Sequence, residues 1–390
     1  MRAASRFRAH RSAYTVVAAT ALANGVTSVG IPLLLASAGL DSVQIAAFFI
    51  FNAAVAVLLN TVALRAITRR QYPPQALRLT TALSALGIAI IAFNPTEPAL
   101  LYTGGALMLL TTMTLPQIMG RTSRQAPPAD RDAIVIDLRQ ILVAGYISGL
   151  LFLSLASLGG PLALLAGAAF TAVGAVASWS PRLAQTLEPE PTRSVASHRG
   201  ARSVAIAALI LAIGLVGIMK AVDALRGIYL PVYIVESGLP ASLAAALFAA
   251  TAIVELAVLP LLAIVTARIG PARCLAFVAA SGTVAFLVPL LTPGVPGLVA
   301  SQVIYAVFAA GFQGVGLVLL SRVASRDAGL GAGLYVAVIQ IGTVIGAVSP
   351  LAASTTQQGI FVAAIAMCGV CVALAIALAA MRKPTEDEHG

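Results

Sequence analysis

The sequence predicts an all-α membrane protein with twelve transmembrane helices in two six-helix bundles. Three observations carry this. The chain of 390 residues is 59% hydrophobic and only 10% charged, where a soluble domain carries about 25% charged residues. Its apolar residues collect in runs close to the ~20 residues that a helix needs to span a bilayer. Its cations sit in every second connection between those runs.

In chain order the runs cover 13–36, 42–64, 77–94, 98–118, 133–157, 161–180, 204–235, 241–266, 273–292, 297–320, 329–352 and 358–381. The first follows a basic stretch, Met1 to Arg11, but exceeds the ~7–15 residues of a signal-peptide core, so it is expected to remain as a span. Arginines cluster at Arg2–Arg11, Arg65–Arg78, Arg121–Arg131, Arg182–Arg202, Arg268 with Arg273, Arg322 with Arg326, and Arg382 with Lys383. The intervening connections hold Asp41, Glu97 and Glu236 and no cation. Cytoplasmic loops are enriched in Lys and Arg, so both termini are expected in the cytoplasm of a plasma-membrane protein. The net charge of +10 therefore faces lipid headgroups, and no nucleic-acid partner is expected.

The longest polar connection contains Glu188-Pro-Glu-Pro191 and divides the chain into bundles 1–181 and 204–390, with a cytoplasmic linker at 182–203. Basic turns follow the second span (Arg65 to Arg70) and the eighth (Arg268 to Arg273), a weak internal repeat.

The stretch Lys220 to Glu255 stands out because it places ionisable groups inside apolar runs. Lys220, Asp223 and Arg226 follow i, i+3, i+6, so Asp223 reaches either cation. At 1.5 Å per residue, Asp223 and Glu255 both lie roughly 20 Å from the turn joining their helices. A charge at such depth costs ~3 kcal/mol or more unless it pairs or lines a cavity. Two roles are open to the cluster: a titrating, ion-paired cavity or a structural network between helices. Lys220 is one of two lysines beside 22 arginines, and a buried Lys, unlike Arg, can lose its proton. Arg139 either holds a polar ligand through its planar fork or snorkels to the surface. Asn24, Asn52, Asn60, Gln302, Gln313 and Gln340, with Tyr146, Tyr305 and Tyr335, either bond between helices or line a polar cavity together. Gly145-x-x-x-Gly149 and Gly342-x-x-x-Gly346 permit close helix contact.

Six plus six spans with basic loops resemble the major facilitator superfamily. Arg268, Gly270 and Arg273 resemble that superfamily's gating loop, with Ala267 replacing its Asp. Finer matches are similar to the sugar efflux transporter family: Pro32, Asn52, Leu138-Arg139, Tyr146, Gly149, Tyr229-Leu-Pro-Val-Tyr-Ile234, Glu255, Gln302, Gly314, Gly316, Ala328-Gly329, Leu334-Tyr335 and Gly342. The pattern departs where Gly149 lacks a following Pro, Asp223 replaces an expected Asn and Gln340 an expected basic residue. The resemblance implies a major facilitator fold and a proton-coupled exporter of sugars or sugar-like molecules working by alternating access. From their polar chemistry inside apolar runs, substrate contacts are expected at Asn24, Asn52, Arg139, Tyr146, Lys220, Asp223, Arg226, Gln302, Tyr305, Gln313, Tyr335 and Gln340. Proton coupling is expected at Glu255, Asp223 and Lys220. The partners expected are a small-molecule substrate, protons and membrane lipid, for a chain acting as a monomer. Alternatives are export of drug-like compounds or other metabolites, and a non-transporting sensor or lipid-handling protein.

No G-x-x-x-x-G-K-[ST] phosphate loop occurs, and His10, His198 and His389 lie outside the apolar runs. Neither an enzyme nor a cofactor or metal is expected. Cys368-Gly-Val-Cys371 lacks the βαβ setting of a redox pair.

Tags at Met1, between Arg193 and Arg202, and after Lys383 should all report the cytoplasm, and a tag at Glu97 the outside. An external central linker would overturn the twelve-span order.

Overall fold

The apolar runs fold as helices, and among the described residues there is no strand. The computed structural model describes residues 2–63, 66–67, 73–125, 131–157, 160–184, 203–323, 328–353 and 358–381. Most of the linker 182–203 and of the basic turn 65–72 therefore lies outside the described residues.

The helices are α1 (Arg2–Ser37), α2 (Ser42–Leu58, extended by a π turn Leu59–Ala63), α3 (Pro74–Phe93), α4 (Pro98–Met108), α5 (Thr114–Gln125), α6 (Arg131–Ala156) and α7 (Gly160–Ala177). They continue as α8 (Ser203–Glu236), α9 (Ala241–Ile269), α10 (Pro271–Leu291), α11 (Val295–Val323), α12 (Ala328–Ala353) and α13 (Gly359–Ala380). A 3₁₀ turn, Leu109–Met113, joins α4 to α5, so the fourth span is a broken helix from 98 to 125 and runs past the expected end at 118. Eleven helical stretches are long and apolar enough to cross a membrane, and Ala337–Pro350 of α12 is a shorter apolar stretch, among the described residues. Large apolar side chains such as Phe93, Leu155, Val176 and Leu261 stand exposed on the outer surface, as lipid contact requires. The chain is an integral membrane protein.

The ends of the helices follow from local chemistry. Asp41 caps α2 reciprocally: its carboxylate accepts from Gln44 N at 2.8 Å, and Gln44 Oε1 accepts from Asp41 N at 3.0 Å. Pro74, Pro98 and Pro271 start their helices, where a missing N–H costs nothing. Gly39 and Gly238 close α1 and α8 in the same way, at φ 83° and 77°. In both turns the residue after the glycine donates back five residues, Leu40 N to Leu35 O and Leu239 N to Ile234 O, each at 3.1 Å. Only a residue without Cβ adopts this left-handed stop freely.

The chain divides into two compact units, Met1–Thr192 with Pro231–Ala249, and Arg193–Leu230 with Ala250–Gly390. In the first, α1 packs on α6 and α7, and α3 packs on α4 and α7. In the second, α10 packs on α11 and α13. The glycine pairs do the same work in each. A Cβ on Gly149 would strike Leu22 O, and one on Gly145 would lie 2.8 Å from Ala21 Cβ. A Cβ on Gly342 would strike Gly217 O, and one on Gly346 would strike Ala221 O. First and fifth spans thus touch backbone to backbone in both units.

Gly149→Val should destabilise the purified protein by at least the ~1–3 kcal/mol of ordinary overpacking, because the obstacle is backbone. Gly227→Ala, which meets open space, should leave the detergent melting temperature unchanged or raise it. Equal melting of the two variants would show that α1 and α6 separate freely.

Candidate functional site

One face of α8 carries the three charges that the sequence spaces three residues apart. Lys220 Nζ donates to Asp223 Oδ2 at 2.6 Å, an ion pair with both side chains about one-fifth exposed (20% and 22%). The second carboxylate oxygen, Oδ1, accepts from the Tyr305 hydroxyl of α11 at 3.0 Å. Asp223 is therefore held by one charged and one neutral donor, which fixes its direction.

Arg226 lies one turn on and is 6% exposed. Its Nε donates to Gln302 Oε1 at 2.7 Å and its Nη2 to Thr251 Oγ1 at 3.1 Å. Thr251 Oγ1 is also 3.2 Å from Gln302 Oε1. The guanidinium carbon stands 4.3 Å from the centroid of the Tyr305 ring, a favourable cation–π distance. Tyr305 is fully buried, with Phe286 edge-on at 5.6 Å and Phe308 at 5.3 Å. Gln302 and Tyr305 sit three apart on α11, so one helix face supplies both the amide and the ring. Three helices thereby solvate one cation: α8 carries it, α9 gives Thr251, and α11 gives Gln302 and Tyr305.

Glu255 follows Thr251 by one turn of α9 and is half-buried. Asp223 and Arg226 both act on it electrostatically. It makes no hydrogen bond or ion pair among the described residues. The structure thus pairs Lys220 with Asp223 on one helix and sets Arg226 against Gln302, Thr251 and the Tyr305 ring.

The remaining candidates separate. Tyr229 donates to Ala347 O of α12 at 2.7 Å. Gln340 is half-buried, Gln313 is exposed, and the Tyr335 side chain lies outside the described residues. In the first unit, Tyr146 donates to Ser28 Oγ at 3.3 Å. Asn52 is buried against Gly105, where a Cβ would lie 2.6 Å from its Oδ1, and that oxygen has no partner. Asn24 is half-buried beside Thr111 and Thr114, and Arg139 is exposed. Arg268 and Arg273 are exposed on either side of Gly270, whose φ of 81° starts α10.

Thr251 escaped the sequence reading. Threonine in an apolar helix usually satisfies itself on the preceding turn, so it carries little signal. Its spacing of four from Glu255 was the available clue.

The Major Facilitator Superfamily profile matches residues 221–390, the part that holds this site. No curated protein sequence matches the chain. Among solved structures, a nucleoside transporter, NupG, superposes with a TM-score of 0.73 at 15% identity, covering 97% of this chain and 100% of that one. A POT family transporter in complex with 5-aminolevulinic acid gives 0.76 at 12% identity over 96% of this chain and 97% of its own. A peptide transporter POT variant gives 0.74 at 16% identity over 95% and 94%. The chain has the fold that these transporters share, a major facilitator fold.

Proposed function

We propose that this protein is a secondary active transporter, a proton-coupled exporter of sugars or sugar-like polar molecules that works by alternating access. Its two six-helix halves, 1–181 and 204–390, are the moving bodies, and 182–203 links them on the cytoplasmic side. The observation that carries the proposal is the network on α8, α9 and α11. Two cations and two carboxylates inside apolar spans are costly to keep, and a purely structural role is met more cheaply by apolar packing. The nucleoside and peptide transporters of the same fold are named for polar substrates, in keeping with a charged site.

Within this reading Glu255 is the coupling residue. It is the carboxylate of the cluster without a bonded cation, so protonation breaks no bond of the network. A neutral acid is far cheaper than an anion in a dry site. Asp223, by contrast, gives up its Lys220 bond if it is protonated. Arg226 and Tyr305 hold the geometry while Lys220 and Glu255 exchange charge with substrate or water.

A second reading, export of drug-like compounds, is favoured by one feature. Leu259, Leu262, Val315 and Val318 of α9 and α11 line an apolar cavity of about 310 Å³.

Glu255→Gln should insert and accumulate as the parent does. In proteoliposomes carrying an internal pH dye it should abolish uphill transport driven by a pH gradient while leaving downhill exchange of radiolabelled mono- and disaccharides. Full uphill transport would make Glu255 structural. Lipophilic dyes tested in the same vesicles decide between the two substrate classes.

Lys220→Met should lower stability by ~1–3 kcal/mol, less than the 3–5 of a fully enclosed pair, because it leaves Asp223 without its cation. Adding Asp223→Asn should recover most of the loss in melting temperature. Lack of recovery would mean that Lys220 is held by something other than Asp223.

A further inference from the structure

The break in the fourth span has a cause in the sequence. Pro116, in the first turn of α5, has no N–H to offer Thr112 O one turn back, and its ring crowds that carbonyl. The chain before it tightens into the 3₁₀ turn Leu109–Met113, where Thr114 N bonds Thr111 O. The π turn Leu59–Ala63 at the end of α2 packs against it. Irregular backbone at membrane depth is tolerated where it is enclosed by protein or lines a cavity.

Here it lines a cavity. A partly open pocket of about 160 Å³ is lined by Thr20 and Asn24 of α1, by Thr111, Thr112 and Thr114 at the break, and by apolar residues that include Leu142 of α6. The wall has five hydroxyl or amide side chains and no charged one.

Thr112 donates to Leu109 O at 2.8 Å, but the hydrogen-bonding capacity of the other four is unspent. Four buried threonines elsewhere donate to the carbonyl one turn back, Thr27 to Ala23 O at 2.9 Å, Thr81 to Leu77 O at 2.8 Å, Thr122 to Ile118 O at 2.7 Å and Thr171 to Gly167 O at 3.0 Å, while outside this turn Thr266 of α9 alone among the described threonines stands buried without a partner. The hydroxyls of Thr20 and Thr114 are buried with no partner, and the side chains of Asn24 and Thr111 make no hydrogen bond among the described residues. Each such group costs ~1–3 kcal/mol, and a cluster of them at a broken helix asks for a ligand.

We infer that the first unit carries a binding pocket for a small uncharged polyol, either free or as the polyol end of a larger substrate, at the broken turn of the fourth span. Hydroxyls of such a ligand both donate and accept, as do threonine hydroxyls, and a carboxamide offers both roles at once. A carboxylate or ammonium would be buried without a counter-ion. The volume is about five times the ~30 Å³ share of one water, and because bonded heavy atoms lie closer together than waters do, it takes roughly eight of them, a polyol of four carbons. The pocket shares no residue with the charge network. Its role in transport rests on the function proposed above; its occupancy does not.

The test uses the full chain in nanodiscs and radiolabelled erythritol in a scintillation proximity assay. Saturable binding is expected, with glycerate failing to compete. Asn24→Leu and Thr111→Val should weaken it by about tenfold or more, the loss of one or two neutral hydrogen bonds. Thr114→Val should do the same while keeping or raising stability, since it removes an unsatisfied hydroxyl. Thr171→Val, in α7 and outside the pocket, should bind as the parent does. Competition by a disaccharide would identify the polyol as part of a larger substrate, and its absence a free polyol.

No saturable binding, or equal binding by all variants, overturns the inference, and a water-filled pocket gives that result. Sugar transport by a parent that binds no erythritol would overturn this inference and leave the transport proposal intact. Erythritol binding with no transport by the parent would do the reverse.

Discussion

A cation inside an apolar bundle has to be solvated by the bundle itself. Arg226 sets this condition for the second unit. Its guanidinium needs acceptors in its own plane and a surface above or below it, and neither comes from its own helix. Thr251 and Gln302 give the acceptors and the Tyr305 ring the surface. Tyr305 then turns its hydroxyl to Asp223, and Asp223 holds Lys220. The packing of α8, α9 and α11 is therefore tied to one charge, and a change in any partner reaches the others through a bond or a stacked ring.

The first unit meets a different constraint with the same helix plan. Backbone contact between first and fifth spans, at Gly149 in one unit and at Gly342 and Gly346 in the other, leaves no room for a side chain on those glycines. In the second unit polar side chains gather as charge on α8, with Lys220 lying against Gly342, and in the first as neutral hydroxyls around the 3₁₀ turn.

Much of the fold was legible because one physical signal dominates it. Twenty apolar residues bounded by Gly, Pro or charge read as a span, and the alternation of arginines orders the spans. The i, i+3, i+6 spacing of Lys220, Asp223 and Arg226 placed them on one face in advance. Which carboxylate takes Lys220 was not legible, because depth alone allows Asp223 or Glu255; side-chain reach decides for the same-helix partner. The repeated stop at Gly39 and Gly238 was visible in the sequence as Gly-Leu before Asp41 and Pro240, yet two residues are too few to stand out. The hydroxyl pocket was hidden for another reason. Thr20, Thr111 and Thr114 look like any membrane-helix threonines until Pro116 is seen to disturb the turn before it.

The freedom of Glu255 from any bonded cation has an electrical side. With every group ionised, Lys220, Asp223, Arg226 and Glu255 sum to zero charge. With a proton on Glu255 they sum to +1. Membrane voltage exerts no net force on the first state as it shifts across the bilayer. It acts on the second with up to about 2.3 kcal/mol per 100 mV for a full crossing. In the proton-coupled cycle proposed above, one proton on this side chain would decide whether the movement of the cluster through the membrane field is coupled to voltage.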